Sequence, residues 1–255
     1  MKKTRQSINY PPKVSVIITT YNSQKYIQKC IQSVLRQTYR NFEIIIVDDC
    51  SDDDTKKIIL EEYSNFDYLK FIGLDQNSGS PSLPRNIGIE ASSGEFICFL
   101  DADDFWYSSK LEAQVSSGHR FSFCSYDRIK NGVARINKPF WHGVSWKRVL
   151  IHNCIGLSTV MISRKLIGDN RFCDIQNEDL FFFYDILKDG KTNARCVLPE
   201  VGLSGYTVND SSRSSKKIKI NFHRFLTIIN RTGKPLFALF CLVSHPVLSL
   251  VRNHT

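Results

Sequence analysis

Acidic residues are missing from both ends of this chain: residues 1–13 hold four Lys/Arg and residues 211–255 hold eight, with no Asp or Glu in either stretch. The net charge of +9 therefore sits at the ends, and the body between them is slightly acidic, with 22 basic residues against 25 acidic ones. The main body thus lacks the extended basic face, interleaved with aromatics, that nucleic-acid binding asks for. No C-x-x-C pair occurs among the eight cysteines, and several lie inside apolar runs where free thiols pack well. A reducing cytosol is the economical reading. No stretch reaches the length of clean apolar sequence that a spanning helix needs. The Lys-rich start before "VSVIITT" has no small-residue cleavage pattern, so that run reads as a first strand and not as a signal peptide. Internal repeats and low-complexity segments are also absent.

What the sequence does have is alternation. At 255 residues and 42% apolar content it can bury a full core, and the first 115 residues switch regularly between strand and helix signals. "VSVIITTY" (14–21), "FEIIIVDD" (42–49), "LKFIGL" (69–74) and "EFICFLD" (95–101) are buried strands. Between them fall a helix whose apolar face is Tyr26, Ile27, Cys30, Ile31, Val34 and Leu35, one capped by the Ser/Asp cluster at 51–54, and one opening near 80. This predicts an α/β fold with a mainly parallel sheet covered on both faces. The later half, about 116–210, is less regular: short strands at 121–126 and 158–164, and a helix after "NED" (177–179) burying Leu180, Phe183, Tyr184 and Leu187.

In such sheets ligands bind beyond the carboxyl ends of the strands. There the sequence sets Thr19, Thr20, Tyr21 and Asn22, then Asp48 and Asp49, then Asp101, Asp103 and Asp104 in "FLDADDFW". Carboxylates so crowded need a compensating cation, and oxygen ligands without a nearby His or Cys suit Mg²⁺ or Mn²⁺ rather than zinc. The competing reading is a plain acidic helix start. One of Asp48 and Asp49 is placed to accept from a nucleobase or ribose, with Tyr21 offering a stacking face. Arg85 and Asn86, where a helix begins after a Gly/Pro loop, suit an anionic diphosphate.

"VSVIITTYN", "FEIIIVDDCSDDDT", "PRNIGIEASSGEFICFLDADD" and "NEDLFFFYDIL", in that order, resemble the successive motifs of family 2 glycosyltransferases, inverting enzymes of the GT-A fold. The resemblance spans roughly residues 13 to 210. It implies that Thr19, Tyr21 and Asp49 hold the nucleoside, that Arg85 and Asn86 lie near ribose or diphosphate, and that Asp101 and Asp103 hold Mn²⁺ or Mg²⁺, with Asp101 also facing the donor. Asp179 matches the catalytic base, with Glu178 its neighbouring competitor; Asp48 and Asp104 are supporting candidates. A glycine common in the second motif is Cys50 here, and the Q-x-x-R-W motif of processive synthases is missing, which favours transfer of one sugar.

The resemblance thus implies transfer from a nucleotide-sugar, a UDP-hexose or UDP-N-acetylhexosamine, to a glycan or glycolipid acceptor of lipid-linked, lipopolysaccharide or capsule type. A non-catalytic binding module and a nucleotidyltransferase are the alternatives. The expected plan is a catalytic domain over 1–210, with a donor half about 13–115 and an acceptor half about 116–210, followed by a basic amphipathic extension over 211–255. His142, between Trp141 and Trp146, is a candidate for the acceptor pocket, and Arg213 for reaching the diphosphate from the tail. The basic tail followed by apolar 235–251 predicts peripheral contact with the inner face of the cytoplasmic membrane; the alternative is a closing helix docked on the domain.

Overall fold

A computed structural model describes residues 11–130, 132–207 and 217–254, with side chains of the last segment described within 223–244. Arg213 lies outside the described residues. Four strands, β1 (Val14–Thr20), β2 (Phe42–Asp48), β3 (Leu69–Gly73) and β4 (Phe96–Asp101), alternate with helices α1 (Ile27–Leu35), α2 (Thr55–Tyr63) and α3 (Ser82–Ala91). They pair in parallel in the order β3-β2-β1-β4. Successive side chains point to opposite faces, and both faces are covered, which is why these strands read as continuous apolar runs. Ile17, Ile45, Val47, Ile97 and Phe99 enter one core, and Val16, Ile18, Ile44, Ile46, Cys98 and Leu100 the other.

The second half extends this sheet in mixed fashion. After β5 (Phe105–Trp106) and α4 (Lys110–Ser116) come β6 (Phe121–Lys130), β7 (Val133–Asn137), β8 (Gly143–Val144) and α5 (Trp146–Ile151). Then follow β9 (Met161–Ser163), α6 (Arg164–Ile167), α7 (Glu178–Leu187) and the long β10 (Ala194–Thr207). The path continues β4-β9-β6-β10-β5, with β7 on β6 and β8 on β10. β9 runs antiparallel to both β4 and β6, and β10 is parallel to β6. The strand expected over 158–164 is only three residues long, because Leu157–Thr159 winds into a 3₁₀ turn.

The tail is two helices, α8 (Lys217–Thr232) and α9 (Pro235–His254), and they return to the core. Ile228, Ala238 and Cys241 are buried in the same cluster as Val149, Leu150 and Phe181. Arg231 pairs with Asp185 of α7, and Phe237 meets the Trp146 ring edge-on at 6.0 Å. The described part of the extension expected over 211–255 is thus a pair of helices that pack on the domain, with Ile228, Ala238 and Cys241 entering the core beside α5 and α7. Among the described residues no helix is long and apolar enough to cross a membrane.

Candidate active site

The parallel register brings the predicted strand ends side by side, Thr20 opposite Asp48 and Thr19 between Val47 and Asp101. The loops that leave β1 and β2 are clasped together. Asn22 donates its N–H to Ser51 Oγ at 2.9 Å and accepts from Asp52 N at 2.8 Å, and Gln24 N donates to Asp53 Oδ2 at 3.1 Å. This clasp holds the Tyr21 ring at the rim, 45% exposed and open to stacking.

The two aspartates at the end of β2 have different partners. Asp48 is buried and caps its own turn, accepting from Ser51 Oγ at 2.5 Å and Ser51 N at 3.0 Å. Asp49 receives Ser78 N at 2.9 Å and Ser78 Oγ at 3.0 Å, one on each carboxylate oxygen. Each oxygen keeps a second lone pair for a ligand. The residue between these aspartates and Ser51, Cys50, stands at φ 61°, in the left-handed region where a glycine costs nothing sterically.

The acidic turn after β4 is likewise divided. Asp104 is buried and supports the turn: its N–H donates to Asp101 O at 2.9 Å, and Ser158 Oγ donates to its Oδ2 at 2.5 Å. Asp101 N donates in turn to Ser158 Oγ at 3.2 Å. Asp101 and Asp103 are the two carboxylates of this turn that stay partly exposed. Burial, and the Asp101 charge beside it, push the Asp103 carboxyl above the usual range. Among the described residues no group of three or more His, Cys, Asp or Glu could hold a metal alone. Two carboxylates, one of them sharing the Arg85 guanidinium, fit an ion that completes its shell with diphosphate oxygens and water, as Mg²⁺ and Mn²⁺ do.

On the other wall, Glu178 and Asp179 open α7 behind Asn177, which sits left-handed at φ 59°. Asp179 Oδ1 accepts from Leu180 N at 2.7 Å, and Oδ2 accepts from Asn153 Nδ2 at 3.3 Å. Burial first, then the adjacent Glu178 charge, raise the Asp179 carboxyl to about 6, with Arg85 opposing. Arg85 spans the crevice: Nη2 donates to Asp101 Oδ1 at 3.0 Å and Nη1 to Glu178 Oε1 at 2.9 Å. Burial works against the charged guanidinium, but these two carboxylates outweigh it and raise its affinity for the proton.

Asn86, expected beside ribose or diphosphate, is engaged with the backbone of the 172 loop. Its Nδ2 donates to Phe172 O and its Oδ1 accepts from Phe172 N, both at 2.9 Å, so both ends of the amide strap the 172 loop to α3. His142 and Trp141 precede β8, where His142 O accepts from Cys196 N, and Trp146 packs on Tyr184 and Phe237. Ser78, Asn153 and Ser158 were not legible as site residues. Ser78 sits in a Gly/Ser loop that signals a turn, while Asn153 and Ser158 carry no local sequence signal.

Against known proteins, residues 15–150 match the profile of Glycosyl transferase family 2. The chain is 31% identical over 247 residues, 94% of both chains, to the Escherichia coli UDP-Glc:alpha-D-GlcNAc-diphosphoundecaprenol beta-1,3-glucosyltransferase WfgD. It is 36% identical over 193 residues, 72% of this chain and 75% of the relative, to the putative teichuronic acid biosynthesis glycosyltransferase TuaG of Bacillus subtilis. Among solved structures, Staphylococcus aureus TarS 1–349 with UDP-GlcNAc superposes at a TM-score of 0.70 with 25% identity, covering 90% of this chain and 70% of TarS. The mannosyltransferase PcManGT of Pyrobaculum calidifontis, with GDP-Man and Mn²⁺, shares the fold at a TM-score of 0.66 and 19% identity, over 92% of this chain and 70% of that one. By sequence profile, by full-length relatives and by fold, the chain belongs to glycosyltransferase family 2, the inverting enzymes of GT-A architecture.

Proposed function

We propose that this chain transfers one hexose or N-acetylhexosamine from a UDP-sugar to a lipid-linked or cell-surface glycan, inverting the anomeric carbon. The observation that carries this reading is the chain of contacts from Asp101 through Arg85 to Glu178, which brings the acidic turn after β4 next to the raised carboxyl of Asp179. The names of WfgD, which uses a UDP-glucose donor and a diphosphoundecaprenol-linked acceptor, and of UDP-GlcNAc-bound TarS support the donor and acceptor classes.

In this reading the uracil lies on Tyr21, and Thr19 and Asp49 hold the nucleoside where Ser78 leaves lone pairs free. Asp101 and Asp103 would hold Mn²⁺ or Mg²⁺ against the diphosphate, which supplies charge neutralisation for the leaving group, worth several kcal/mol. Asp179 accepts the proton of the acceptor hydroxyl as it attacks from the face opposite the diphosphate. A carboxyl raised to about 6 is ionised at neutral pH yet more basic than an ordinary aspartate, which suits that task. Asn153 keeps Asp179 turned toward the crevice. The enzyme works at the inner face of the cytoplasmic membrane, where such acceptors are anchored.

A screen of UDP-, GDP- and dTDP-sugars for hydrolysis and for transfer to diphosphate-linked lipid acceptors, with and without Mn²⁺, tests the reading. A β-linked product from a UDP-α-sugar is expected. Absence of nucleotide-sugar turnover or binding under all conditions would overturn it.

A further inference from the structure

One guanidinium serves both walls of the crevice. The Arg85 side chain is 6% exposed, Asp101 holds one of its terminal nitrogens and Glu178 the other, and its Nε is buried with no partner among the described residues. Its Cζ lies 5.3 Å from the centre of the Phe172 ring, which Asn86 fixes in turn through both ends of its amide. A planar fork so enclosed has no route to solvent, and a single positive charge is divided between two carboxylates. Among the described residues Asp179 is faced by Glu178 and the Leu180 N–H from its own helix, Arg85 from α3, Arg224 from α8 and the Asn153 amide from the loop after α5.

We propose that Arg85 is a positioning residue that couples the cation and diphosphate end of the crevice to the base, because Asp101 and Glu178 compete for its one guanidinium. Positive charge arriving at Asp101 releases more of the guanidinium to Glu178. That fixes the first turn of α7 and draws the Glu178 charge away from Asp179, so an occupied donor site prepares the base. The coupling is reciprocal by linkage: neutralising Glu178 leaves Arg85 wholly to Asp101, and the cation then binds Asp101 less well. The proposal rests on the catalytic reading above. It also gives Arg85 a duty other than direct contact with the diphosphate.

The test is calorimetric titration of UDP, with Mn²⁺ and with EDTA, into the full chain and into Glu178→Gln, Arg85→Gln and the double variant. Glu178→Gln is expected to weaken Mn²⁺-dependent UDP binding about fivefold while leaving binding in EDTA unchanged. Arg85→Gln is expected to tighten Mn²⁺-dependent binding while lowering kcat, and in that background Glu178→Gln should change nothing further. The acidic limb of the kcat profile should move down on Glu178→Gln and up on Arg85→Gln, a response that loosened packing alone does not give. Equal effects of Glu178→Gln in both backgrounds, or loss of UDP binding in EDTA on Arg85→Gln, would overturn the coupling. Where Arg85→Gln does not fold, Arg85→Lys replaces it, keeping the charge without the fork. If the wild-type chain binds no UDP, the catalytic reading fails by itself. The coupling is then read from denaturant unfolding, in which Asp101→Asn and Glu178→Gln must be non-additive with Arg85 present and additive without it.

Discussion

At the residue scale, Asp179 carries an energetic conflict that is open to measurement. Its carboxyl titrates at about 6 in the fold against an ordinary value near 4, so the folded state prefers the protonated form. Stability from this group is therefore greatest at low pH, and it falls as pH rises from the unfolded value through about 6, by about 2–3 kcal/mol in total. The proposed role as general base needs the opposite, ionised form, so on that reading kcat should rise through the same window and level off above it. Asp179→Asn is expected to lower kcat by about 10²-fold or more with donor affinity nearly intact. The same substitution should raise stability at pH 7 in urea unfolding and leave it unchanged near pH 4. If Asp179→Asn stays active while Glu178→Gln is dead, the base is Glu178. The residue types at the crevice were legible in the sequence, and the resemblance already marked Asp48 and Asp104 as supporting, but the partners that hold them were not legible. Ser51 is local to Asp48, but Ser158, which holds Asp104, and Ser78, which holds Asp49, come from distant segments that only the fold brings in.

At the element scale, the strands that could be read were those with two buried faces, because an unbroken β-branched run of five or so residues suits a strand packed on both sides better than a helix. β10 escaped for physical reasons: Pro199, Gly202 and Gly205 interrupt its pattern, and its pairing with β6 shifts register between Val197 and Gly202 and again before Ser204. A bulged strand loses the period-2 signal that would reveal it. Two positions test how the loops and layers are held. Cys50, left-handed at φ 61°, occupies the place where the family resemblance puts glycine. Cys50→Gly should relieve that strain against a smaller entropic cost, for a net gain of up to about 1 kcal/mol in thermal unfolding with UDP affinity kept. Gly88 is the close approach of α3 to β1, for a Cβ there would stand 2.3 Å from Ile17 Cγ2. Gly88→Ala is expected to cost about 1–3 kcal/mol, and by lifting α3 it should also weaken the contacts of Arg85.

At the scale of the whole molecule, α9 has two working faces. Ala238 and Cys241 point into the core, while Leu236, Leu239, Phe240 and Val243, at three- and four-residue spacing, are between 50% and 82% exposed. Docking of one face leaves the other outward, on a tail segment that holds eight basic residues and no acid. An outward apolar stripe beside such charge suits shallow insertion among anionic headgroups, where a lipid-anchored acceptor would be presented. The docked face also decides which experiment is informative. Removing 211–255 strips Ile228, Ala238 and Cys241 from the core, so a truncated chain is expected to unfold and cannot report on membranes. Paired substitution Leu236→Ser and Phe240→Ser removes the outward stripe alone, and, being at exposed positions, should leave the melting temperature nearly unchanged. Flotation with vesicles containing anionic lipid is expected to recover the wild-type chain. The double variant should bind about thirtyfold more weakly, from the loss of about 1 kcal/mol per partly inserted side chain. Added salt should weaken both chains through the basic term and leave their ratio unchanged, since the apolar term is not screened. A wild-type chain that stays in solution as a monomer would sink the membrane assignment. One that dimerises in solution, and loses the dimer in the double variant, would give the stripe to a second copy of the chain instead.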